Sequence, residues 1–184
     1  MTAIISNVLV AAWLLMEVVL RKRGAASSWE AAATDRNSTR LVIGAYVALA
    51  ALSLVLTSPG HIATNSTLAW IATGLGTVGL ALRAWAMRHL GGYYSRTLHA
   101  QPDQPVVDDG PYRWIRHPGY TGSILVWAGS RLALNWVAAA ITLAVLLVVY
   151  AYRMSAEEEL LTEEIGQPYR DYQARTWKLI PPIW

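Results

Sequence analysis

The segment of the chain best suited to chemistry is Gly110-Pro-Tyr-Arg-Trp-Ile-Arg-His-Pro-Gly-Tyr120. Within eleven residues it holds two arginines, one histidine, three aromatic rings and two prolines. Arginines can pair with a carboxylate and aromatic faces attract cations, while the proline after His117 restricts that residue to an extended or turn conformation. A membrane-interface anchor would also contain Arg, Trp and Tyr, but it has no need of Gly-Pro and His-Pro. We therefore predict a loop that binds a ligand with both anionic and apolar parts.

A second charged cluster begins at Arg153, where a long apolar stretch ends. Arg153 and Glu157 are four residues apart, so that they share one face of a helix. On an ordinary helix such a pair is a solvated salt bridge. Charged groups near the membrane are costly unless they are paired or functional, so the alternative is a pair that takes part in function. Both interpretations stay open here. We expect the helix to continue through 153–164 and to end at Gly166 and Pro168.

Composition excludes several kinds of site. The chain has no cysteine, so disulfides and thiolate metal sites are impossible. No metal site is predicted, because metal-ligand spacing is missing from the four histidines, His61, His89, His99 and His117. The string Gly74-Leu-Gly-Thr-Val-Gly79 lacks the strand context of a dinucleotide fingerprint. It lies in an apolar stretch, where small residues favour close helix packing; they would also permit a dimer, but the oligomeric state is not predicted.

Five apolar segments must position these clusters, and we interpret them as membrane spans, for which about 20 residues are needed. They are residues 3–20, 41–58, 67–87, 120–134 and 136–153. The fourth is short and carries Arg131, so it would alternatively be half of a tight hairpin with the fifth. Arg83 and Arg88 close the third, with Trp85 between them, as an interfacial anchor would.

The distribution of positive charge predicts the topology. The connection 21–40 and the segment 88–119 are basic, whereas 57–66 contains no Lys or Arg. The positive-inside rule then places 21–40, 88–119 and 153–184 in the cytoplasm and the N-terminus outside. The predicted fold is an all-α, polytopic membrane protein that forms a single domain over 1–184, with a cytosolic helical cofactor pocket.

These clusters resemble the isoprenylcysteine carboxyl methyltransferase family, which consists of membrane methyltransferases that use S-adenosyl-L-methionine. The matching pieces are Leu90-Gly91, Val107 through Gly110-Pro-Tyr-Arg-x-x-Arg-His-Pro-x-Tyr120, Arg153-x-x-x-Glu157-Glu158-x-x-Leu161, Gly166-x-x-Tyr169-x-x-Tyr172 and Pro181. The sequence departs from the family pattern at Gln104, Asp109 and Ile165, where His, a small Ser or Thr, and Phe are usual.

The resemblance implies S-adenosyl-L-methionine as the cofactor and identifies the residues that would bind it. They are Gln104, Pro105, Val106, Val107, Tyr112, His117, Pro118, Gly119, Tyr120 and Glu157. Among these, Glu157 would hold the ammonium group of the cofactor, and Arg153 would face the carboxylate of the substrate.

The expected reaction is methyl transfer to the carboxylate of a membrane-embedded acceptor, either prenylcysteine-like or another lipophilic molecule. A carboxylate is already ionised at pH 7, so catalysis would come from positioning and exclusion of water. No residue is therefore assigned as a catalytic acid or base. We expect membrane lipids and a lipophilic or prenylated substrate as partners, no nucleic acid, and a multi-pass location in a prokaryotic plasma membrane with the active site on the cytoplasmic side.

Three alternatives stay open. A phospholipid or amine N-methyltransferase would need Glu157, Glu158 or His117 as a base, because an amine must lose a proton. A sterol-type, NADPH-dependent membrane reductase would need a phosphate site, and none is evident. A non-enzymatic membrane scaffold would tolerate the loss of His117 and Glu157.

Overall fold

The computed structural model describes residues 1–21, 35, 37–56, 65–94, 104–182 and 184, and this part of the chain is helical, as predicted. Six α-helices follow in order: α1 (Thr2–Arg21), α2 (Ser38–Leu56), α3 (Ser66–Leu90), α4 (Pro118–Leu132), α5 (Trp136–Ile165) and α6 (Gln167–Arg175). Two short 3₁₀ turns, Gly91–Tyr93 and Gly110–Arg113, lie between α3 and α4. Most of the predicted loop 21–40, together with His61 and His99, lies outside the described residues.

The five predicted spans appear as five helices, and three of these are long and apolar enough to cross a membrane by length and composition. The three stretches are Thr2–Val19, Ser66–Tyr93 and Trp136–Ile165. In α2 the apolar stretch Ser38–Leu52 is shorter, and α4 has only 15 residues, fewer than the roughly 20 that a spanning helix requires. Five crossings therefore stay a prediction.

Helix α5 extends 30 residues and carries the second charged cluster beyond its apolar part, as predicted. At its start, the side chain of Asn135 accepts hydrogen bonds from the backbone N–H groups of Val137 and Ala138, which satisfies two donors at the helix N-terminus. At its end, Gly166 has a φ of 75°, a conformation that favours glycine over residues with a side chain. Arg153 and Glu157 are thus held on one rigid element.

Helices α3 and α4 approach each other closely through glycine, which confirms the packing interpretation of the 74–79 string. A Cβ atom added to Gly79 would stand 2.5 Å from the Leu125 Cβ atom and 2.6 Å from the Gly122 carbonyl oxygen. Gly76 also faces a neighbouring helix, whereas a Cβ atom at Gly74 would meet nothing within 4 Å. Small residues let the two backbones pack without a gap, and this contact brings the end of α3 to the start of α4.

The core of the bundle is an aromatic cluster shared by α1, α2, α4 and α5. Trp13 contacts Trp127 edge-on with ring centroids 5.6 Å apart, and Tyr46 stacks on Trp127 at 4.9 Å. Tyr150 of α5 is fully buried in the same cluster. The outer faces expose large apolar side chains such as Val148, at 71%, which is the arrangement expected where lipid covers a helix.

Candidate functional site

A cavity of about 440 Å³ lies where the C-terminal parts of α1, α3 and α5 meet the N-terminal parts of α2 and α4. Its wall is completed by residues 104–107, by the loop 110–120 and by α6. The cavity therefore joins the two clusters that are separate in the sequence. It also receives side chains from the first two helices, for which the sequence predicted no chemistry.

Nine of the ten predicted cofactor residues line this cavity, and so does Arg153. The nine are Gln104, Pro105, Val106, Val107, Tyr112, His117, Gly119, Tyr120 and Glu157. The tenth, Pro118, is fully buried at the first residue of α4 and does not line the cavity. Proline at this helix position has a preset φ and lacks an N–H that would go unbonded, so Pro118 positions its neighbours His117 and Gly119.

Tyr120 connects the two charged residues that share a face of α5. Its hydroxyl donates a hydrogen bond of 2.8 Å to Glu157 Oε2, and the hydroxyl oxygen accepts one of 3.3 Å from Arg153 Nε. The motif residue Tyr120 thus holds Glu157 and Arg153 in fixed positions at the cavity wall. The simple solvated salt bridge does not describe this pair, because Arg153 is only 4% exposed.

Arg153 forms its ion pair with an acidic residue of the N-terminal half. Its Nη1 atom lies 2.5 Å from Asp35 Oδ1 and donates to Ser38 Oγ at 2.7 Å and Thr39 Oγ1 at 2.8 Å. Asp35 itself is 5% exposed. The sequence analysis missed this residue, although polar residues just before an apolar run are a signal for a helix start.

His117 is directed at Glu158 within a compact ionic cluster. Its Nε2 atom lies 3.1 Å from Glu158 Oε1, and the same carboxylate pairs with Arg116 at 2.9 Å and Lys178 at 2.9 Å. Arg116 also donates to the carbonyl oxygen of Thr176. This cluster fixes the loop before α4 against α5 and the end of the chain.

The C-terminal segment 176–179 runs beside that loop and completes its support. The backbone N–H of Arg116 donates to the carbonyl oxygen of Trp177 at 2.7 Å, and that of His117 donates to Lys178 at 3.1 Å. Thr121 Oγ1 donates to the carbonyl oxygen of Leu179 at 2.9 Å. These hydrogen bonds hold the loop against the C-terminal segment, and such support favours a preorganised site.

A second buried ion pair, between Glu17 and Arg83, lies at the cavity wall. The Arg83 Nη2 atom is 2.5 Å from Glu17 Oε1, and Arg83 Nη1 donates to the Gly119 carbonyl oxygen at 2.8 Å. Tyr94 donates to Glu17 Oε2 at 3.0 Å. The interpretation of Arg83 as an interfacial anchor is therefore wrong: at 7% exposure it is a buried cavity residue. The signal was available, since a charged residue inside an apolar segment indicates a functional or paired group.

The pairing of charges leaves Glu157 as the exception among the cavity carboxylates. Arg83 pairs with Glu17 and Arg153 with Asp35, while Glu158 receives Arg116 and Lys178. Among the described residues no cation lies within ion-pair distance of Glu157, whose hydrogen-bond partner is the hydroxyl of Tyr120. Glu157 is thus a negative charge available to a cationic ligand.

Three tyrosines form the side of the cavity near α6. Burial raises the pKa of Tyr112, Tyr169 and Tyr172 above the ordinary value of 10, so that these phenols are neutral at physiological pH. Tyr172 donates a hydrogen bond of 2.8 Å to the carbonyl oxygen of Tyr112. The tyrosines therefore offer ring faces to a ligand, and as neutral phenols they do not act as bases.

The fold matches that of a known membrane methyltransferase. A solved structure described as the eukaryotic intramembrane Ras methyltransferase ICMT, without a monobody, aligns over 92% of this chain and 61% of its own, with a TM-score of 0.63 and 21% sequence identity. At this identity the similarity shows the fold alone. The class defined by fold and cavity is thus a helical membrane protein with a cavity at one end of its bundle.

Sequence comparison identifies the family. The model of the isoprenylcysteine carboxyl methyltransferase (ICMT) family matches residues 71–163. The protein-S-isoprenylcysteine O-methyltransferase of Schizosaccharomyces pombe is 32% identical over 116 residues, which are 61% of this chain and 49% of the relative. That of Dictyostelium discoideum is 26% identical over 126 residues, 62% and 49% of the two chains. The chain spans about half the length of these relatives.

The matched region is half of the chain and contains both clusters singled out above. The protein belongs to the isoprenylcysteine carboxyl methyltransferase family. With three helices apolar enough to cross a bilayer and the fold of an intramembrane methyltransferase, it is an integral membrane protein.

Proposed function

We propose that this protein transfers the methyl group of S-adenosyl-L-methionine to the carboxylate of a lipophilic, prenylcysteine-like acceptor. The observation that carries the proposal is the carboxylate of Glu157, which has no cationic partner among the described residues and lies on the wall of a cavity that also contains three arginines and several aromatic rings. Family membership and the names of the similar proteins support the same reaction.

The polar side of the cavity suits the cofactor. Its ammonium group would be held by Glu157, since every other carboxylate described above already pairs with a cation. The adenine and the sulfonium would find aromatic faces in Tyr112, Tyr169 and Tyr172, because rings stack with bases and attract cations. Residues 104–107 would complete the wall around the cofactor.

The apolar side of the cavity suits the tail of a lipid-like acceptor. Leu14 and Val18 of α1 and Ile43 and Val47 of α2 line the cavity. The same four side chains are between 48% and 65% exposed, so in a membrane they would contact lipid. A tail could then pass from the bilayer to the cavity between α1 and α2 without crossing water.

Positioning is the chemistry that the site would perform. When bound, the cofactor would be held by Glu157 and the three tyrosines, and it would supply an electrophilic methyl group to a carboxylate oxygen of the acceptor, itself becoming a neutral thioether. No proton is transferred, which agrees with a cavity whose phenols are neutral and whose histidine is bonded to Glu158. Arg153 would orient the acceptor carboxylate for in-line attack, and a buried site would exclude competing water.

We also propose five membrane crossings, with the cavity on the cytoplasmic side of a prokaryotic plasma membrane. In support, α1, α3 and α5 end at the cavity whereas α2 and α4 begin there, as alternating crossings require. Basic residues such as Arg88, Arg113 and Lys178 are found at this end, which agrees with the positive-inside rule.

Calorimetric titration of purified protein with S-adenosylhomocysteine and, separately, with NADPH tests the class of ligand. We expect binding of S-adenosylhomocysteine alone, and methyl transfer from labelled S-adenosyl-L-methionine to N-acetyl-S-farnesylcysteine but not to its carboxamide. Binding of NADPH alone would refute the proposal in favour of a reductase, and labelling of a phospholipid amine would refute the carboxylate acceptor.

A further inference from the structure

Asp35 lies outside the region that the family model matches, yet it contacts the residue proposed to orient the acceptor. Its Oδ1 atom accepts hydrogen bonds from Arg153 Nη1 at 2.5 Å and from Ser38 Oγ and Thr39 Oγ1 at 2.9 Å each. Burial alone would raise the pKa of Asp35, but the hydrogen bonds from Ser38 and Thr39 and the charge of Arg153 outweigh it and lower the pKa. The residue is therefore ionised at neutral pH.

The position of Asp35 separates it from the ligands themselves. Arg153 and Thr39 line the cavity, whereas Asp35 does not. The carboxylate therefore contacts the guanidinium without itself lining the cavity. On another edge of the same guanidinium, Nε donates to the hydroxyl of Tyr120. Arg153 is thus held from two directions, and its orientation is set before any ligand arrives.

The charge of Asp35 has a consequence for a reaction in which a carboxylate is the nucleophile. A buried guanidinium without a counter-charge would bind an acceptor carboxylate strongly in the ground state, because Coulomb energies grow as the dielectric falls. That binding would draw electron density from the attacking carboxylate oxygen. It would also be lost during the reaction, because methylation neutralises the charge of the carboxylate. Tight ground-state binding of this kind does not accelerate the chemical step.

We infer that Asp35 is a positioning residue that orients Arg153 and moderates its charge, so that the acceptor carboxylate is held but stays nucleophilic. This inference rests on the proposed function, since it assumes a carboxylate acceptor at Arg153. It assigns to the segment before α2 a part in the reaction that the matched motifs do not contain. It also explains why Ser38 and Thr39 direct both hydroxyls to the same carboxylate oxygen.

The test is Asp35→Asn, which keeps the shape and the acceptor oxygen but removes the charge. We expect kcat to fall about tenfold, the size of one partly screened charge interaction, while KM for N-acetyl-S-farnesylcysteine falls or stays the same. Affinity for the carboxylate ligand should rise relative to its carboxamide analogue, measured by calorimetry with S-adenosylhomocysteine present. Asp171→Asn, an exposed carboxylate of α6 bonded to Gln167, is the matched control and should change none of these values.

The outcomes separate this inference from the proposed function. A raised KM with unchanged kcat, or an unchanged carboxylate preference, would overturn the role of Asp35 and leave the methyltransferase proposal intact. Wild-type protein that binds neither acceptor analogue nor S-adenosylhomocysteine would refute the proposed function, and the inference with it. If Asp35→Asn does not fold, Ser38→Ala keeps the charge and removes one bond that holds it; kcat should then fall a few-fold, and an unchanged kcat would contradict the inference.

Discussion

Glutamine in place of Glu157 would remove the cavity carboxylate that has no cationic partner among the described residues. The substitution is nearly isosteric, and the Tyr120 hydroxyl that now donates to Glu157 Oε2 at 2.8 Å can donate to the amide oxygen instead. The local structure should therefore persist while the negative charge disappears. Any effect on ligand binding then reports the charge and not a change of shape.

The expected loss of affinity follows from the kind of interaction that is removed. A hydrogen bond between two charged groups contributes a net of about 1.5–3 kcal/mol. That free energy corresponds to a rise in Kd for S-adenosylhomocysteine of about 10- to 150-fold. We expect the upper part of this interval, because Glu157 is partly buried and solvent screens partly buried charges less than exposed ones.

Calorimetry with two ligands makes the assay specific. An analogue of S-adenosylhomocysteine without its α-amino group should bind wild-type protein more weakly by a similar factor, and Glu157→Gln should weaken its binding no further. Glu163→Gln, an exposed position on the same helix, is the control and should bind both ligands as the wild type does. If Glu157→Gln binds S-adenosylhomocysteine with wild-type affinity, or weakens both ligands equally, the assignment of the ammonium group to Glu157 is wrong.

Three further predictions concern the frame that holds the site. Gly79→Val should destabilise the protein by about 1–3 kcal/mol, because the Cβ atom of the valine would overlap the facing helix, and the thermal unfolding temperature in detergent should fall. The control is Gly74→Val, whose side chain would face open space and should leave that temperature unchanged. Glu17→Gln leaves a buried guanidinium without its counter-charge and should cost about 3–5 kcal/mol in the same measurement. Because the chain has no cysteine, the single substitutions Asp171→Cys and Trp136→Cys report the topology. A membrane-impermeant thiol reagent applied to intact cells should label Trp136→Cys and leave Asp171→Cys unlabelled. The reverse pattern would refute the proposed orientation.

The helical fold was predictable from local patterns, and the meeting of the two motif clusters was predictable from the family resemblance. Apolar runs of about 20 residues predict α1, α3 and α5, and the charged continuation of α5 to Gly166 follows from the run of helix-forming residues after Arg153. Close packing at Gly79 could be read from small residues in an apolar helix. The apolar runs and the small residues are local features of the sequence, which is why they could be read from it.

The partners of the buried charges could not be predicted in the same way. Arg83 pairs with Glu17 and Arg153 with Asp35 across separations of 66 and 118 residues. Which residues meet at such distances depends on the angles between helices, and a short sequence motif does not contain them. The sequence therefore identified Arg153 and Glu157 correctly as neighbours on one face, but it did not predict that Tyr120 lies between them.

The cavity is built both from the region that the family model matches and from the helices before it, and each part carries charges that the other one needs. Residues 71–163 supply Glu157 and the two buried arginines of the cavity wall, Arg83 and Arg153. Their counter-charges, Glu17 of α1 and Asp35 of the segment before α2, come from outside the matched region. A buried arginine without a counter-charge is costly, so the motif region depends on the N-terminal helices for a stable cavity. The same helices supply the apolar side of the cavity. Changes in α1 and α2 should therefore alter both the charge around the acceptor and the tail that fits, while the cofactor contacts on α4 and α5 stay the same.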